Sequence, residues 1–296
     1  MHAREAAPEL IRFYRSFMEA APDQVGGGMT LATAPSADFV PEEARGKPAC
    51  GMLVVYFGDP DRGQQVLRPL LQWGHPLVSR VGPMPYTAVQ AMTDDSHPWG
   101  IRHYARVFYL PDLSDGAVDA IVAQANTARS PFSQIQLSHV GGAVARMDRS
   151  AMALNMPEAS WACFVFASWW DPRGHEEHID WARGVVEAAR PWAVDAAPAN
   201  FIMGDETKRL YHSYGAEKYR RLVALKDAYD PENVFALNQN IKPSAVEPRA
   251  LHPADPAGSQ DPGSQSSTGR PAIGADTTGT EISNRAVSQV SSIREE

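Results

Sequence analysis

Apolar positions along the chain switch between helical and strand periods. Leu10, Phe13, Tyr14, Phe17 and Met18 fall on one face of a helix, and the run ends at Ala21-Pro22-Asp23. Thr30–Ala34 and Met52–Phe57 read as strands bounded by Gly and Pro. Asp59-Pro60 opens a second helix that carries Val66, Leu67, Leu70 and Leu71 and stops near Trp73-Gly74. A strand over Ile101–Leu110 leads to a helix with Ser114 as N-cap and Ala117, Ile121 and Ala125 inward. Ser133–Val140 alternates, with Gln134, Gln136 and Ser138 on one face and Ile135, Leu137 and His139 on the other. Such a polar row faces solvent or lines a cavity. Trp161–Ser168 is an apolar strand, Glu176–Arg190 a helix, and Thr207–Tyr214 and Glu217–Tyr229 two further helices before Asp230-Pro231. Strands and helices do not alternate in a regular βαβ metre, so the pattern predicts an α+β fold: a mainly antiparallel sheet with helices on one face.

The pattern stops before the chain does. The chain has 296 residues, and all of its 7 Trp, 9 Tyr and 10 Phe lie at or before Phe235. Residues 246–296 are rich in Pro, Gly and Ser and cannot repay the entropy of ordering. One folded domain over 1–245 and a disordered tail over 246–296 are expected. A net charge of -8 and the lack of a Lys/Arg cluster argue against a nucleic-acid partner. No stretch approaches the roughly 18 apolar residues of a membrane span. Cys50 and Cys163 sit in strand-like apolar runs, where a thiol behaves as a small hydrophobe, and a reducing cytoplasm is the simpler expectation.

Most local motifs have a structural explanation. His175-Glu176-Glu177-His178 spaces its histidines at i, i+3, unlike the i, i+4 of a zincin helix, and Glu in a first turn complements the helix dipole; no metal site is expected. Gly26-Gly27-Gly28 precedes a strand and reads as a flexible connector. Gly141-Gly142 follows the Ser133–Val140 strand as a turn, or as a point where a ligand approaches the backbone. There is no Gly-x-Ser-x-Gly elbow, and His97, His103, His139 and His212 have no partner readable from the sequence.

The run Tyr229-Asp230-Pro231-Glu232-Asn233-Val234-Phe235-Ala236-Leu237-Asn238-Gln239-Asn240-Ile241 resembles the closing motif of the berberine-bridge-enzyme-like FAD-linked oxidoreductases. Phe39–Glu43, Gly82–Thr87, Gly141–Arg146 and Asn200–Glu206 match the bacterial branch of that family in the same order, so the resemblance spans about residues 8–244. It implies that the chain is the substrate domain with its berberine-like motif, one sheet face roofing the isoalloxazine ring of FAD. It implies oxidation of a small organic substrate by hydride transfer to flavin, with O2 as acceptor. Asn238, Asn240 and Asn200 are the implied cofactor-binding residues, since amides donate to and accept from a flavin without changing charge.

Two departures from the family stand out. Its flavin-binding domain lies N-terminal to this region and is not in this sequence, so a separate FAD-binding domain or polypeptide is the expected partner and the chain alone is expected to be inactive. The family's Tyr-x-Asn step is here Pro198-Ala199-Asn200, and a proline has no hydroxyl to ionise. The catalytic base is therefore unassigned, and a non-catalytic paralogue acting as a binding or scaffold protein is the rival expectation. Gln134 and Gln136, with Arg102 and Tyr104 from an adjacent strand, are the candidates for lining the substrate cavity.

Overall fold

The structure is a computed structural model, described over residues 1–245 apart from 95–97, 154–156, 195–196, 204–206 and 238. The expected disordered tail lies outside the described residues. The strands are β1 (His2–Ala3), β2 (Val25–Thr33), β3 (Pro48–Tyr56), β4 (Arg102–Leu110), β5 (Gln134–His139) and β6 (Trp161–Trp169). They form an antiparallel sheet in the order β1-β3-β2-β5-β6-β4. The helices are α1 (Ala7–Ala20), α2 (Pro60–Leu71), α3 (Tyr86–Ala91), α4 (Asp115–Ala125), α5 (Gly142–Ala145), α6 (His175–Ala189) and α7 (Thr207–Tyr229). Within α7, Gly215 takes φ 71° and ψ 159°, which breaks the helix into the two stretches the sequence pattern predicts.

One face of the sheet holds the main core. Met29, Leu31, Ile135, Leu137, Cys163, Val165, Phe108 and Leu110 are buried against α1, α4 and α6. Each such side chain contributes roughly 1.5–3 kcal/mol by leaving water. α1 presents Leu10, Ile11, Tyr14 and Met18 to this core. α4 presents Val118, Ile121 and Val122, and starts where the Ser114 hydroxyl accepts from the Ala117 N–H at 3.3 Å. The Trp181 indole N–H on α6 donates to the Gln124 carbonyl at 3.0 Å and ties the two helices together.

The glycine run is not a connector. Gly26, Gly27 and Gly28 lie inside β2, paired with Val55, Val54 and Leu53 on β3. Gly27 has φ +136°, and a Cβ there would stand 1.9 Å from the Leu53 carbonyl oxygen. Only glycine permits strands this close with that backbone. Gly141 and Gly142 do not form a separate turn: Gly141 is the N-cap of the short helix α5, and Gly142, at φ 59°, is its first residue. A Cβ on Gly141 would lie 2.4 Å from Cε1 of His139, whose ring also packs edge-on to Trp161 at 5.1 Å.

His175 and His178 both pack on Trp169, with ring centroids 5.3 and 4.9 Å away. Among the described residues no group of three or more His, Cys, Asp or Glu could hold a metal ion. Cys50 and Cys163 are free and buried. Among the described residues no helix is long and apolar enough to cross a membrane.

Candidate functional site

The opposite face of the sheet is only partly covered. Strand pairing sets Leu53, Gly28, Ser138, Ala162 and Tyr109 in one row across it, and Gly51, Thr30, Gln136, Phe164 and Val107 in the next. The segment after α6 crosses one end of this face. Val194 pairs with Tyr109, and Ala197 and Ile202, together with Leu210 of α7, bury Val107, Tyr109 and Ala162. Phe201 closes against Phe164 at 5.1 Å. Burial raises the pKa of the Tyr109 phenol, which keeps it protonated.

Beyond that cover the face is flat and partly polar. Gln134 and Gln136 are half-buried on β5, and Phe164 and Phe166 lie beside them on β6 with nearly parallel rings, 4° apart and 6.3 Å between centroids. On β2 and β3 the same face is floored by Gly28, Thr30 and Gly51, and a Cβ on Gly51 would meet no atom within 4 Å. Small residues under a flat surface with amides at its edge suit a planar heteroaromatic ring that carries donors and acceptors on its rim. The residues present therefore fit the ring of a flavin.

The two remaining lining candidates do not join this row. β6 separates β4 from β5, and Arg102 and Tyr104 share the parity of Phe108 and Leu110, on the helix-covered face. Tyr104 is 6% exposed, lies 4.3 Å under the Arg106 guanidinium, and accepts from Arg183 Nε of α6 at 3.2 Å. On β4 the open-face residues beside this row are Ala105, opposite Phe166, and Val107, opposite Phe164; His103 is the next one along, opposite Ser168, and its Nδ1 stands 2.8 Å from the Ser168 hydroxyl. Counting back by twos from Val107 and Tyr109 reaches it.

Of the asparagines, Asn200 is exposed in a single 3-10 turn, Ala199–Phe201, next to the half-buried Pro198. Asn240 is half-buried and donates to Asn233 Oδ1 at 3.0 Å; Asn238 lies outside the described residues. The segment between Tyr229 and Ser244 is fixed by polar bonds. Asp230 pairs with Lys226 and accepts from the Val234 and Phe235 N–H groups at 2.8 and 3.1 Å. The Lys226 hydrogen bond, assisted by those two N–H groups, holds the Asp230 carboxyl below its ordinary pKa. The Gln239 amide donates to the Ile202 carbonyl, which anchors the segment beside the open face. Its apolar side chains point outward: Tyr229, Val234, Phe235 and Leu237 are 84, 72, 80 and 87% exposed.

Residues 199–242, which include most of this segment, match the family described as berberine and berberine like. The chain carries a berberine-like domain. An FAD-linked oxidoreductase of Dictyostelium discoideum is 26% identical over 197 residues, 65% of this chain and 42% of its own length. The FAD-linked oxidoreductase YgaK of Bacillus subtilis is 26% identical over 219 residues, 70% of this chain and 46% of its own. The chain thus spans about half the length of the curated relatives it matches. Among solved structures, 6-hydroxy-D-nicotine oxidase from Arthrobacter nicotinovorans has the same fold, with a TM-score of 0.64 and 17% identity over 81% of this chain and 52% of that one. The family resemblance read from the motifs holds, and the berberine-like segment is where it is most specific.

Proposed function

We propose that residues 1–245 are the substrate-side portion of an FAD-linked oxidoreductase that oxidises a small organic molecule, an alcohol, an amine or a ring C–H, with O2 as acceptor. The observation that carries this reading is the open sheet face, floored by Gly28, Thr30 and Gly51 and edged by Gln134 and Gln136, with the berberine-like segment fixed beside it. FAD, when bound, supplies the hydride acceptor. Gln134 and Gln136 orient the substrate from the sheet by accepting and donating hydrogen bonds, and Phe164 and Phe166 exclude water beside them. Asn200, Asn238 and Asn240 serve the ring edge and ribityl chain. With Pro198 in the family's tyrosine position, the imidazole this face offers for the substrate's proton is His103, oriented by Ser168. The exposed ridge of Tyr229, Val234, Phe235 and Leu237 is the surface on which a flavin-binding unit seats.

Absorption spectra of the purified chain with and without FAD test the reading. No near-stoichiometric flavin band is expected from the chain alone, and one should form when a flavin-binding partner is supplied. A near-stoichiometric band from the chain alone refutes the need for that partner. Pro198 favours one rival, a non-catalytic binding protein, and absence of a flavin band even with the partner present would establish it.

A further inference from the structure

On the helix-covered side of the sheet a cavity of 410 Å³ opens where the ends of β2 and β3 meet α4 and α6. Arg4 lines it and is only 6% exposed. Its Nε donates to the Ala49 carbonyl at 3.1 Å and its Nη2 to the Ala32 carbonyl at 2.8 Å, two residues paired across β3 and β2. Its Nη1 donates to Asn126 Oδ1 at 3.2 Å. A guanidinium has five N–H donors in a planar fork. One hydrogen on each terminal nitrogen is therefore left without an acceptor among the described residues, and no carboxylate there stands within ion-pair distance.

Burying a cation without an opposing charge is costly. Three carbonyl dipoles offset part of that cost and leave the net charge in place. The apolar part of the wall is built from Leu31, Val122, Ala125, Ala128 and Trp181, and Thr33 and Ser133 add polar groups to the rest. We infer that this cavity binds a small monocarboxylate, with its carboxylate on the terminal N–H groups of Arg4 and its apolar body against Leu31, Val122 and Trp181. Carboxylates match that fork in charge and geometry. The exposed Asn126 can swing aside and offer its own amide N–H to the ligand. Glu5 lines the same cavity from its exposed side, and its charge selects against di- and tricarboxylates. Burial also lowers the Arg4 pKa, and the charges of Cys50 and Glu5 offset only part of that. This inference is independent of the flavin reading.

Thermal unfolding of the full chain tests it, with sodium butyrate titrated against sodium chloride at equal ionic strength and against butyramide. Butyrate is expected to raise Tm saturably by about 3–5 °C at tenfold excess over its Kd, and neither control should. Asn126→Asp puts a carboxylate at the guanidinium and should weaken butyrate binding at least tenfold. Its affinity for butyrate is the readout, because Asp at the end of α4 also opposes the helix dipole. Arg4→Lys, which keeps the charge and loses the fork, should abolish the response; if that variant does not fold, Asn126→Asp decides. An equal response to chloride, no saturable response to butyrate, or full affinity in Asn126→Asp overturns the inference.

Discussion

Replacing Gly27 by Ala probes the closest backbone contact in the sheet. An L side chain at φ +136° occupies a conformation that costs about 1–3 kcal/mol. The added Cβ would also stand 1.9 Å from the Leu53 oxygen and 2.9 Å from its carbonyl carbon, so β2 or β3 must shift, at about 1–3 kcal/mol more. β2 is held by β3 on one side and β5 on the other, which leaves little room to relax. The expected loss is about 4 kcal/mol, or a fall in Tm of about 8–16 °C for a domain of this size. Gly51→Ala is the paired control: nothing lies within 4 Å of its new Cβ and its φ is ordinary, so it should fall within about 1 kcal/mol of the parent. Urea and thermal unfolding followed by circular dichroism measure both. If Gly27→Ala unfolds within about 1 kcal/mol of the parent, or Gly51→Ala is as damaging, the strand packing described above is wrong.

Three other outcomes are expected. Phe235→Ser with Leu237→Ser should leave Tm unchanged within about 2 °C, since both side chains are already 80% or more exposed. The same pair should weaken association through that ridge by about a thousandfold, which is about 4 kcal/mol of lost burial; sedimentation velocity of the isolated chain over a concentration series reads it, and unchanged self-association counts against the ridge as a docking surface. Asp230 should titrate below 3.8 by NMR, and Lys226→Met should return its midpoint toward the ordinary carboxylate range. Because its folded pKa is depressed, the pair's contribution to stability is present at neutral pH and is lost as pH falls through that folded value; a midpoint at or above 3.8 in the parent removes the argument. Both thiols should resist a disulfide reagent in the folded protein at pH 8, since burial pushes Cys50 up to about 11 and Cys163 upward as well; rapid labelling of either would contradict their burial.

The helices and most strands were legible because their information lies in side-chain periodicity. α1, α4 and α6 announce a buried stripe, and Ser114 announces a cap. Gly26–Gly28 gave no such signal: a strand is recognised by its side chains, and here the absence of side chains is what the two neighbouring strands require. Arg102 and Tyr104 failed as neighbours of Gln134 and Gln136 for another reason. At its far end β4 is buried on both faces, Phe108 and Leu110 by helices and Val107 and Tyr109 by the segment after α6, so alternation along this strand does not say which parity faces the open side. Nor does one strand's sequence reveal that β6 lies between β5 and β4. That His103 lies on the open face can be read only once the register is known.

The Lys226–Asp230 pair has a consequence for how fast and how tightly the berberine-like segment can be covered. Its bonds to the backbone at Val234 and Phe235 leave the ridge rigid before any partner arrives. A floppy segment would surrender about 1–2 kcal/mol for each residue whose backbone froze on contact. Here most of that cost is met during folding, so a partner encounters a finished shape, and loss of the ion pair should slow productive docking without removing a single apolar contact.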